Sequence, residues 1–581
     1  MDYQPALDDT NFILFDVLRA PQLLAALPAF ADCDADLMQQ VLGEAGKFVA
    51  AEIAPLHRTG DEAGCSFNAG EVRTPPGFRA AYQSFWQAGW AGLSCATEDG
   101  GQGLPEVLNQ VLYEMLSAAN HGWTMAPGLL HGAYECLKHH GSADLKSRYL
   151  QKIASGEWLA TMCLTEPHAG SDLGLVRSKS VPQADGSCRI SGTKIFISGG
   201  EHDLTDNIVH LVLARLPDAL AGPKGLSLFL VPKLLEDGRR NEVHCERIEE
   251  KMGLHGSPTC VMRFDEATGW LVGEPGRGLG AMFVMMNAAR LHVGLQGVGL
   301  LEAAWQKADA YSRERRQMRA PGPRADTQPA DFIALHPAMR RILDTQRAWI
   351  DGGRVLAYRT ALDLDIASQH PDAARREQAA RWCSLVTPVL KASLTQQAFY
   401  GASECLQVFG GHGYVREWGI EQIVRDARVA MIYEGTNEIQ AIDLLLRKVL
   451  GDGGAAMETL LLDLCDAPGP GDGAQVRQLA DDLRRLNAEL VAGARGNAEL
   501  PYWVADDYLR VVALFLQAWA WSQIDAAVAG HGAAWGRARW EPPSRALQAW
   551  VLPEFGMRVG IIRARLAASP APAGVARMNA P

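Results

Sequence analysis

Two hydrophobic periodicities divide the first 275 residues of the chain. In ADLMQQVLGEAGKFVAAEIAPL (35–56) and EVLNQVLYEMLSAAN (106–120), apolar residues recur every three or four positions, which predicts amphipathic helices. After about residue 160 the apolar runs become short and β-branched, as in CRISGTKIFISGG (188–200), and Gly, Pro and Asp separate them. This change predicts strands and turns. We therefore expect an N-terminal extension (1–35), a helical domain (36–160) and a β domain (161–275).

Long helical patterns return after residue 275. The stretch 281–317 has few helix breakers and a strong apolar stripe, and two further helical stretches follow it. CDAPGPGDGA (465–474) is rich in Gly, Pro and Asp and predicts a linker, after which three more helical patterns occur. We therefore expect a helical domain (276–450), an extra helical domain (466–568) and a disordered tail (569–581).

Composition narrows the classes of function. A formal net charge of −12 argues against a nucleic-acid partner, which would need a basic face. The 11 cysteines are scattered without a C-x-x-C pair, which is typical of reduced, buried thiols. The start MDYQPALDD does not resemble a signal peptide, and no apolar run approaches the roughly 20 residues of a membrane-spanning helix. We expect a cytoplasmic protein with no membrane span.

Two short stretches of the β domain combine small, polar and aromatic residues. In TMCLTEPHAGSDLG (161–174), small residues would let backbone N–H groups approach a flat ring or a pyrophosphate, although a polar turn entering the β domain fits equally well. In KIFISGG (194–200), Phe196 and Ser198 lie on one face of a strand. They suit a flat heteroaromatic ligand, or they are an ordinary core phenylalanine and a serine near a turn.

The stretch QVFGGHGYVREWGIEQIVRDARVAMIYEGTNEIQ (407–440) is the most informative. Its glycines predict a tight turn where the backbone can meet a ligand. For His412 we expect a local hydrogen bond rather than a metal site, because no second ligand has metal spacing near it. Arg425 and Asp426 are expected to form an ion pair. Glu434 precedes Gly435, and a carboxylate in an apolar, ligand-covered pocket would have a raised pKa and could act as a base near neutral pH.

Two arginines stand on the long predicted helix. Arg290 and Arg315 would lie roughly 37 Å apart if the helix is unbroken, so they cannot serve one small ligand. They could serve two anionic groups, or they could lie on a solvated helix face, which fits Arg315 in SRERRQMR better than Arg290 in the apolar MMNAARLHVG.

Four blocks occur in one order: TMCLTEPHAGSD, KIFISGG, the arginine-bearing helix and QVFGGHGY…IYEGTNEIQ. Over about residues 36–450 they resemble the acyl-CoA dehydrogenase family of flavoproteins. EKMGLHGSPTC, MMNAARLHVGLQG and the extra ends are similar to the longer subgroup that includes methylmercaptopropionyl-CoA dehydrogenase. The resemblance implies an α+β, mainly α, fold: an N-terminal helical domain, a middle β-barrel domain and a C-terminal four-helix bundle, plus the extra C-terminal helical domain.

The resemblance also implies an activity. FAD would lie between the β domain and the bundle, and an acyl-CoA would be oxidised to the trans-2-enoyl-CoA. Electrons would pass to electron-transfer flavoprotein, and the protein would be a homodimer or homotetramer. Glu434 matches the base that removes the α-proton while hydride passes to flavin N5, and its N–H matches a donor to the thioester carbonyl.

Other positions match the family's binding residues. Arg290 matches the arginine on the CoA side, with Asn287 in place of the usual aspartate. Ser171, Tyr433 and Gly435 match the remaining substrate site. The positions that match FAD contacts within one subunit are Met162, Leu164, Thr165, Gly170, Ser171, Phe196, Ser198 (a threonine in many relatives), Thr436 and Glu438. Those that match contacts to the FAD of a neighbouring subunit are Arg315, Gln317, Gln407, Gly410 and Gly411.

Some relatives place the base immediately before the CoA-side arginine. That position is Ala289 here, which cannot take a proton, so Glu434 is the only base candidate in these motifs. Two alternatives remain open: an acyl-CoA oxidase that uses O₂, and a fold relative that binds FAD and nucleic acid without efficient dehydrogenation. The extra C-terminal domain is expected to serve assembly, and the motifs do not fix the acyl group.

Overall fold

The computed structural model describes residues 3–322, 327–466, 473–532 and 536–568, without the side chains of Asn287, Ala288 and Asp466. The predicted tail 569–581 and the side chain proposed at Asn287 therefore lie outside the described residues.

The N-terminal part is helical apart from one small hairpin. Its α3 begins at an N-cap aspartate, Asp34, whose carboxylate accepts from Leu37 N at 2.9 Å. Its central helix, α6, is buried along nearly its whole length and departs from helical geometry at Asn120. The elements are α1 Leu7–Asn11, α2 Ala20–Leu24, α3 Ala35–Phe48, α4 Leu56–Ala63, β1 Ser66–Asn68, β2 Glu71–Arg73, α5 Phe78–Gln87, α6 Glu106–Thr124, α7 Leu130–His140, α8 Ala143–Leu145 and α9 Gln151–Ala154.

The middle part is a seven-stranded sheet that closes on itself. Its strand order is β3-β6-β4-β5-β9-β7, and β8 pairs with β9. A further pairing of β6 with β7 closes the strands from β6 to β7 into a ring, and β3 pairs with β6 outside that ring. Closure leaves few free strand edges. The strands are β3 Leu159–Cys163, β4 Lys179–Pro182, β5 Cys188–Ser198, β6 Ile208–Arg215, β7 Leu226–Pro232, β8 Val243–Ile248 and β9 Thr259–Val272.

Three long helices form the centre of the next part and pack against one another. The first of them, α10, is continuous over 37 residues and also packs against α6, which joins the bundle to the N-terminal helices. The helices are α10 Gly278–Glu314, α11 Pro337–Gln369, α12 Ala373–Val408, α13 Ile420–Arg428 and α14 Asn437–Ile442, and a π-helical segment, Asp443–Val449, continues from α14.

The chain then adds helices α15 Ala455–Asp466, α16 Ala474–Ala494, α17 Leu500–Gly530, α18 Arg537–Ala546 and α19 Pro553–Ala567. The expected α+β, mainly α, fold with an extra C-terminal helical domain is therefore confirmed. We expected no apolar run of membrane-spanning length, and this is wrong: α17 is long enough and apolar enough to cross a membrane, judged by its length and composition alone. However, 72% of its most apolar window is buried inside the protein, where it packs against α11, α12 and α14. A core helix explains this composition.

A cluster of buried charges joins the N-terminal extension, α6, the bundle and α18. Its members are Asp9, Glu114, Glu302, Arg347, Asp351, Arg354 and Arg539. Arg354 connects two of these parts, because its guanidinium lies 2.7 Å from Glu114 on α6 and 3.0 Å from Glu302 on α10. We call this set the buried ion-pair cluster.

Candidate active site

Glu434 lies in a tight turn just before α14. Its φ is +55° and that of Gly435 is +80°, so two successive residues occupy the left-handed region. Thr436 is the N-cap of α14, and Gln440 Nε2 donates to the carbonyl oxygen of Glu434 at 3.0 Å. A non-glycine residue in this conformation is uncommon and persists only where its surroundings hold it. The turn therefore gives Glu434 a fixed backbone orientation.

The surroundings of Glu434 favour its protonated form. The side chain is half-buried, and burial raises the pKa of the carboxyl to about 7, while Lys391 and Arg290 oppose the rise. A carboxyl with that pKa is close to half ionised at neutral pH. It can therefore accept a proton from a weakly acidic carbon more readily than an ordinary surface carboxylate of low pKa can.

Tyr433 fixes the other side of the turn. Its hydroxyl donates to Gln296 Oε1 on α10 and lies 3.4 Å from His121 Nε2 and 3.9 Å from Met125 Sδ. Burial lowers the pKa of His121 to about 3, so its imidazole is neutral near pH 7. The wall on the Tyr433 side of the base is therefore polar but uncharged.

Arg290 lies close to the base and is only 8% exposed. One guanidinium nitrogen is 3.6 Å from Asp443, and Nε has no hydrogen-bond partner among the described residues. A buried N–H without a partner is costly unless a ligand satisfies it. The arrangement suits an anionic or carbonyl-bearing ligand.

The loop 161–174 is attached to β5 by a buried ion pair. Lys194, fully buried on β5, donates to Glu166 at 2.9 Å and to the Leu164 carbonyl at 3.1 Å. Ile195 N also donates to the Thr165 carbonyl at 2.9 Å. These contacts attach the loop at Leu164 and Thr165 to the part of β5 just before Phe196 and Ser198.

Phe196 has an unusual conformation and exposure. Its φ is +59°, the register of β5 against β9 shifts between Lys194 and Ile197, and the side chain is 61% exposed. A bulge of this kind redirects a side chain, and an aromatic ring left uncovered in a strand marks a surface for a ligand or partner. In the loop 161–174, Gly170 and Ser171 are exposed, and their backbone N–H groups have no hydrogen-bond partner among the described residues.

A short segment connects the β domain to the base. Met125 contacts Tyr433, and the next residue, Ala126, packs against the turn after β5, where a Cβ placed on Gly199 would lie 3.8 Å from the Ala126 Cβ. The end of the Phe196–Ser198 strand and the Glu434 turn therefore flank the same segment.

A second group of predicted positions lies at the far end of α10. Tyr311 stacks on Phe409 with ring centroids 4.3 Å apart and hydrogen-bonds His412 Nδ1 at 2.8 Å. His412 therefore makes a hydrogen bond as expected, but its partner lies 101 positions away on α10 and is not local in sequence. This contact brings the Arg315 end of α10 to the Gly410 end of α12. The residues predicted here are all exposed: Arg315, Gln317, Gln407, Gly410 and Gly411. The structure does not bring this group to Glu434.

The expected ion pair between Arg425 and Asp426 is wrong. Arg425 instead pairs with Asp61 at 2.6 Å and with Glu421 on its own helix. Asp426 accepts a hydrogen bond from Leu254 N at 2.6 Å, and burial raises its pKa to about 7. Adjacent residues of a helix face different directions, so they rarely pair.

Lys391 is a residue near the base that the motifs did not indicate. It lies on α12, is fully buried, and donates to the Gly435 carbonyl at 2.7 Å. The available signal was a single lysine in the apolar run VTPVLKASL. Gln296 and Gln440 accept from Tyr433 and donate to Glu434, respectively. Both lie in stretches that the sequence analysis quoted, MMNAARLHVGLQG and the end of 407–440, but neither was assigned a role there.

Three family models match consecutive parts of the chain. They describe the N-terminal domain of acyl-CoA dehydrogenase (residues 36–157), its middle domain (161–267) and its C-terminal domain (276–449). The chain belongs to the acyl-CoA dehydrogenase family. It is an oxidoreductase acting on acyl-CoA, and the cofactor of the family is FAD.

Similar proteins extend the match beyond these domains. A 3-methylmercaptopropionyl-CoA dehydrogenase from Ruegeria pomeroyi is 44% identical over 501 residues, covering 85% of this chain and 84% of that protein. A broad-specificity linear acyl-CoA dehydrogenase from Mycobacterium tuberculosis is 36% identical, covering 78% and 76%. Among solved structures, Caenorhabditis elegans ACDH-11 in complex with C11-CoA has a TM-score of 0.73 at 20% identity, covering 97% of this chain and 96% of that one.

The residues of this acyl-CoA dehydrogenase family member fit FAD. The exposed ring of Phe196 offers a surface for an isoalloxazine. The free N–H groups at Gly170 and Ser171 suit phosphate oxygens. A Cβ placed on Gly170, Gly410 or Gly411 would meet nothing within 4 Å, so each leaves room for a ligand beside the backbone.

Proposed function

We propose that this enzyme removes the two hydrogens of the Cα–Cβ bond of an acyl-CoA thioester and forms the trans-2-enoyl-CoA. The observation that carries this proposal is Glu434, a carboxyl with a pKa near 7 on a fixed left-handed turn beside a buried arginine. In this role Glu434 takes the α-proton as a general base.

The chain's own residues would prepare the α-carbon. The Glu434 N–H has no partner among the described residues, so it can donate to the thioester carbonyl and stabilise the negative charge that develops as the proton leaves. Arg290 would neutralise a charged group of CoA. Tyr433 and Gly435 would shape the pocket around Cα, and Ser171 would contact the substrate from the 161–174 loop.

Two sets of residues would hold FAD. In one subunit these are Met162, Leu164, Thr165, Gly170, Ser171, Phe196, Ser198, Thr436 and Glu438. From a neighbouring subunit they are Arg315, Gln317, Gln407, Gly410 and Gly411, whose exposure at one end of the bundle is compatible with a dimer or tetramer. When bound, FAD supplies the acceptor for the hydride that leaves Cβ. We propose that electron-transfer flavoprotein then receives the electrons.

The test is anaerobic bleaching of the bound flavin by short, long, branched, aryl and thioether acyl-CoAs. Wild-type protein should be bleached rapidly by one class, which names the substrate. Glu434→Gln should keep its FAD and lose about 10²–10⁴-fold in bleaching rate, the usual value of a positioned base. Glu404→Gln, an exposed carboxylate on α12, is the matched control and should behave as wild type.

Near-normal bleaching by FAD-loaded Glu434→Gln would overturn the base assignment. Absence of bleaching by every acyl-CoA would overturn the proposed reaction. The acceptor is tested separately by mixing substrate-reduced enzyme with electron-transfer flavoprotein or with oxygenated buffer. Fast reoxidation by O₂ with release of peroxide would identify an oxidase instead.

A further inference from the structure

A buried ammonium group lies against the turn that carries the base. Lys391 Nζ donates to the Gly435 carbonyl at 2.7 Å and to Asn437 Oδ1 at 3.0 Å. Asn437 is itself held, because its amide donates to the Ala392 carbonyl at 3.1 Å and Thr395 Oγ1 donates to it at 3.3 Å. Lys391 is thus fixed between α12 and the start of α14.

Both carbonyls of the left-handed turn are therefore occupied by buried side chains. Gln440 Nε2 serves the Glu434 carbonyl, and Lys391 serves the Gly435 carbonyl. Consecutive residues with φ of +55° and +80° form a conformation of low intrinsic population. Donors that fix these two carbonyl groups hold the turn in place, and with it the direction from which the Glu434 side chain leaves the backbone.

Lys391 also acts on Glu434 through charge. Among the described residues no ion pair within 4 Å joins the two, so the interaction is through space. Burial lowers the pKa of Lys391 to about 7, while Glu434 and Glu438 oppose that change. In return Lys391 and Arg290 limit the rise in the pKa of Glu434.

Three other cations near the turn share one carboxylate, that of Asp443. Asp443 lies 3.6 Å from Arg290, 3.5 Å from Arg447 and 4.0 Å from Lys448. His121, on the Tyr433 side, is neutral because burial lowers its pKa to about 3. Among these cations, Lys391 is the one whose ammonium binds the turn itself.

We propose that Lys391 is a positioning residue for the base: it holds the Glu434–Gly435 turn by hydrogen bonds and, in its protonated form, places a positive charge near the Glu434 carboxylate. The inference rests on the proposed function of Glu434. A merely structural lysine would stabilise the fold without affecting the ionisation of Glu434, and the two roles are separable by experiment.

The test uses Lys391→Met, which removes charge and donor, and Lys391→Gln, which removes the charge but keeps a donor. A nearby opposite charge lowers the pKa of a carboxyl by about one unit or more. The acidic limb of the bleaching rate against pH should therefore move up by about one pH unit in both variants. At pH 7 the rate should fall more in Lys391→Met than in Lys391→Gln, with KM little changed.

A second readout reports the base directly. The substrate's α-protons exchange with D₂O when the base removes and returns them, and mass spectrometry measures this exchange on FAD-loaded enzyme without an electron acceptor. The exchange rate should fall in both Lys391 variants, as the bleaching rate does. Lys448→Met is the matched control, because Lys448 is a nearby cation whose ammonium contacts Asp443 and Ser384 and does not contact the turn. This variant should leave both the acidic limb of the pH profile and the exchange rate unchanged.

If Lys391→Met loses FAD or fails to fold, Lys391→Gln decides the question. An unmoved acidic limb with normal exchange in the Gln variant would overturn the proposal. If FAD-loaded Glu434→Gln exchanged α-protons at the wild-type rate, the base assignment would instead be overturned. The two failures are therefore distinguishable.

Discussion

Replacing Arg539 by methionine should loosen two distant parts of the chain together. Arg539, on α18, donates to Asp9 in the N-terminal extension at 2.8 Å and to Asp351 on α11 at 2.8 and 2.9 Å. The variant would leave Asp351, which is fully buried, with Arg347 at 3.4 Å as its remaining cation within 4 Å among the described residues. Asp9 would keep only a weak approach of 3.9 Å to Arg347.

The magnitude follows from the burial of these groups. Removing one partner of a buried ion pair costs about 3–5 kcal/mol, because the other charge is left without compensation. The side chain of Arg539 is 28% exposed, so we expect a value near the lower end, about 3 kcal/mol. Converted to a local opening equilibrium, this corresponds to roughly a 100-fold change.

Hydrogen exchange measured by mass spectrometry is the appropriate assay. Amides of α1 and α18 should lose about 100-fold in protection in Arg539→Met, while the β domain stays unchanged. Arg537→Met is the matched control, since Arg537 lies on the same helix, is 67% exposed and reaches Glu541 at 3.7 Å. Adding Asp351→Asn to Arg539→Met should restore part of the protection.

Less than about 5-fold loss of protection, or an equal loss in Arg537→Met, would refute this reasoning. Either result would mean that apolar packing alone holds α18 and the extension in place, and that the ion pairs contribute little net stability.

Three further outcomes are expected. The bleaching rate of wild-type enzyme should rise with pH through about 7, because Glu434 must be ionised to accept the proton, and a rate flat down to pH 5.5 would contradict this. In Gly435→Ala the new Cβ would lie 2.8 Å from Gln440 Nε2, at a φ in the left-handed region. This variant should therefore lower kcat about 10-fold in the bleaching assay and the free energy of unfolding by roughly 1–2 kcal/mol in urea denaturation. Asp426 has a folded pKa of about 7, above its unfolded value, so stability is lost as pH rises from about 4 to 7. Asp426→Asn keeps an acceptor for Leu254 N and should stabilise the protein at pH 8 by roughly 2–4 kcal/mol, with little effect at pH 4, when urea denaturation is compared at the two pH values.

The sequence predicted the elements whose signal is local. The change from helical to strand periodicity near residue 160, the closed sheet and the long bundle helices follow from hydrophobic patterns and from the ordered family blocks. The family and its FAD requirement are confirmed by the three matched domains. The individual site residues stay predictions, although the structure brings Glu434, Tyr433 and Arg290 together.

What the sequence did not reveal depends on long-range contacts. Arg425 pairs with Asp61, 364 positions away, and no local pattern predicts that choice over its neighbour Asp426. The bulge that exposes Phe196 arises from the pairing of β5 with β9. The alternation of side chains along a strand therefore predicted which face Phe196 and Ser198 share, but it did not predict the backbone conformation of Phe196. Lys391 follows the same rule, because its role becomes visible only when the Gly435 carbonyl is in place.

The extra C-terminal domain also makes a long-range contact near the site. Its apolar helix α17 packs against α14 and against the π-helical segment Asp443–Val449 that follows the base turn. Asp443 in that segment lies 3.6 Å from Arg290, and Arg290 limits the rise that burial causes in the pKa of Glu434. Because one segment both contacts α17 and carries Asp443, we expect a change in the packing of the C-terminal domain to affect Arg290 through its ion pair with Asp443.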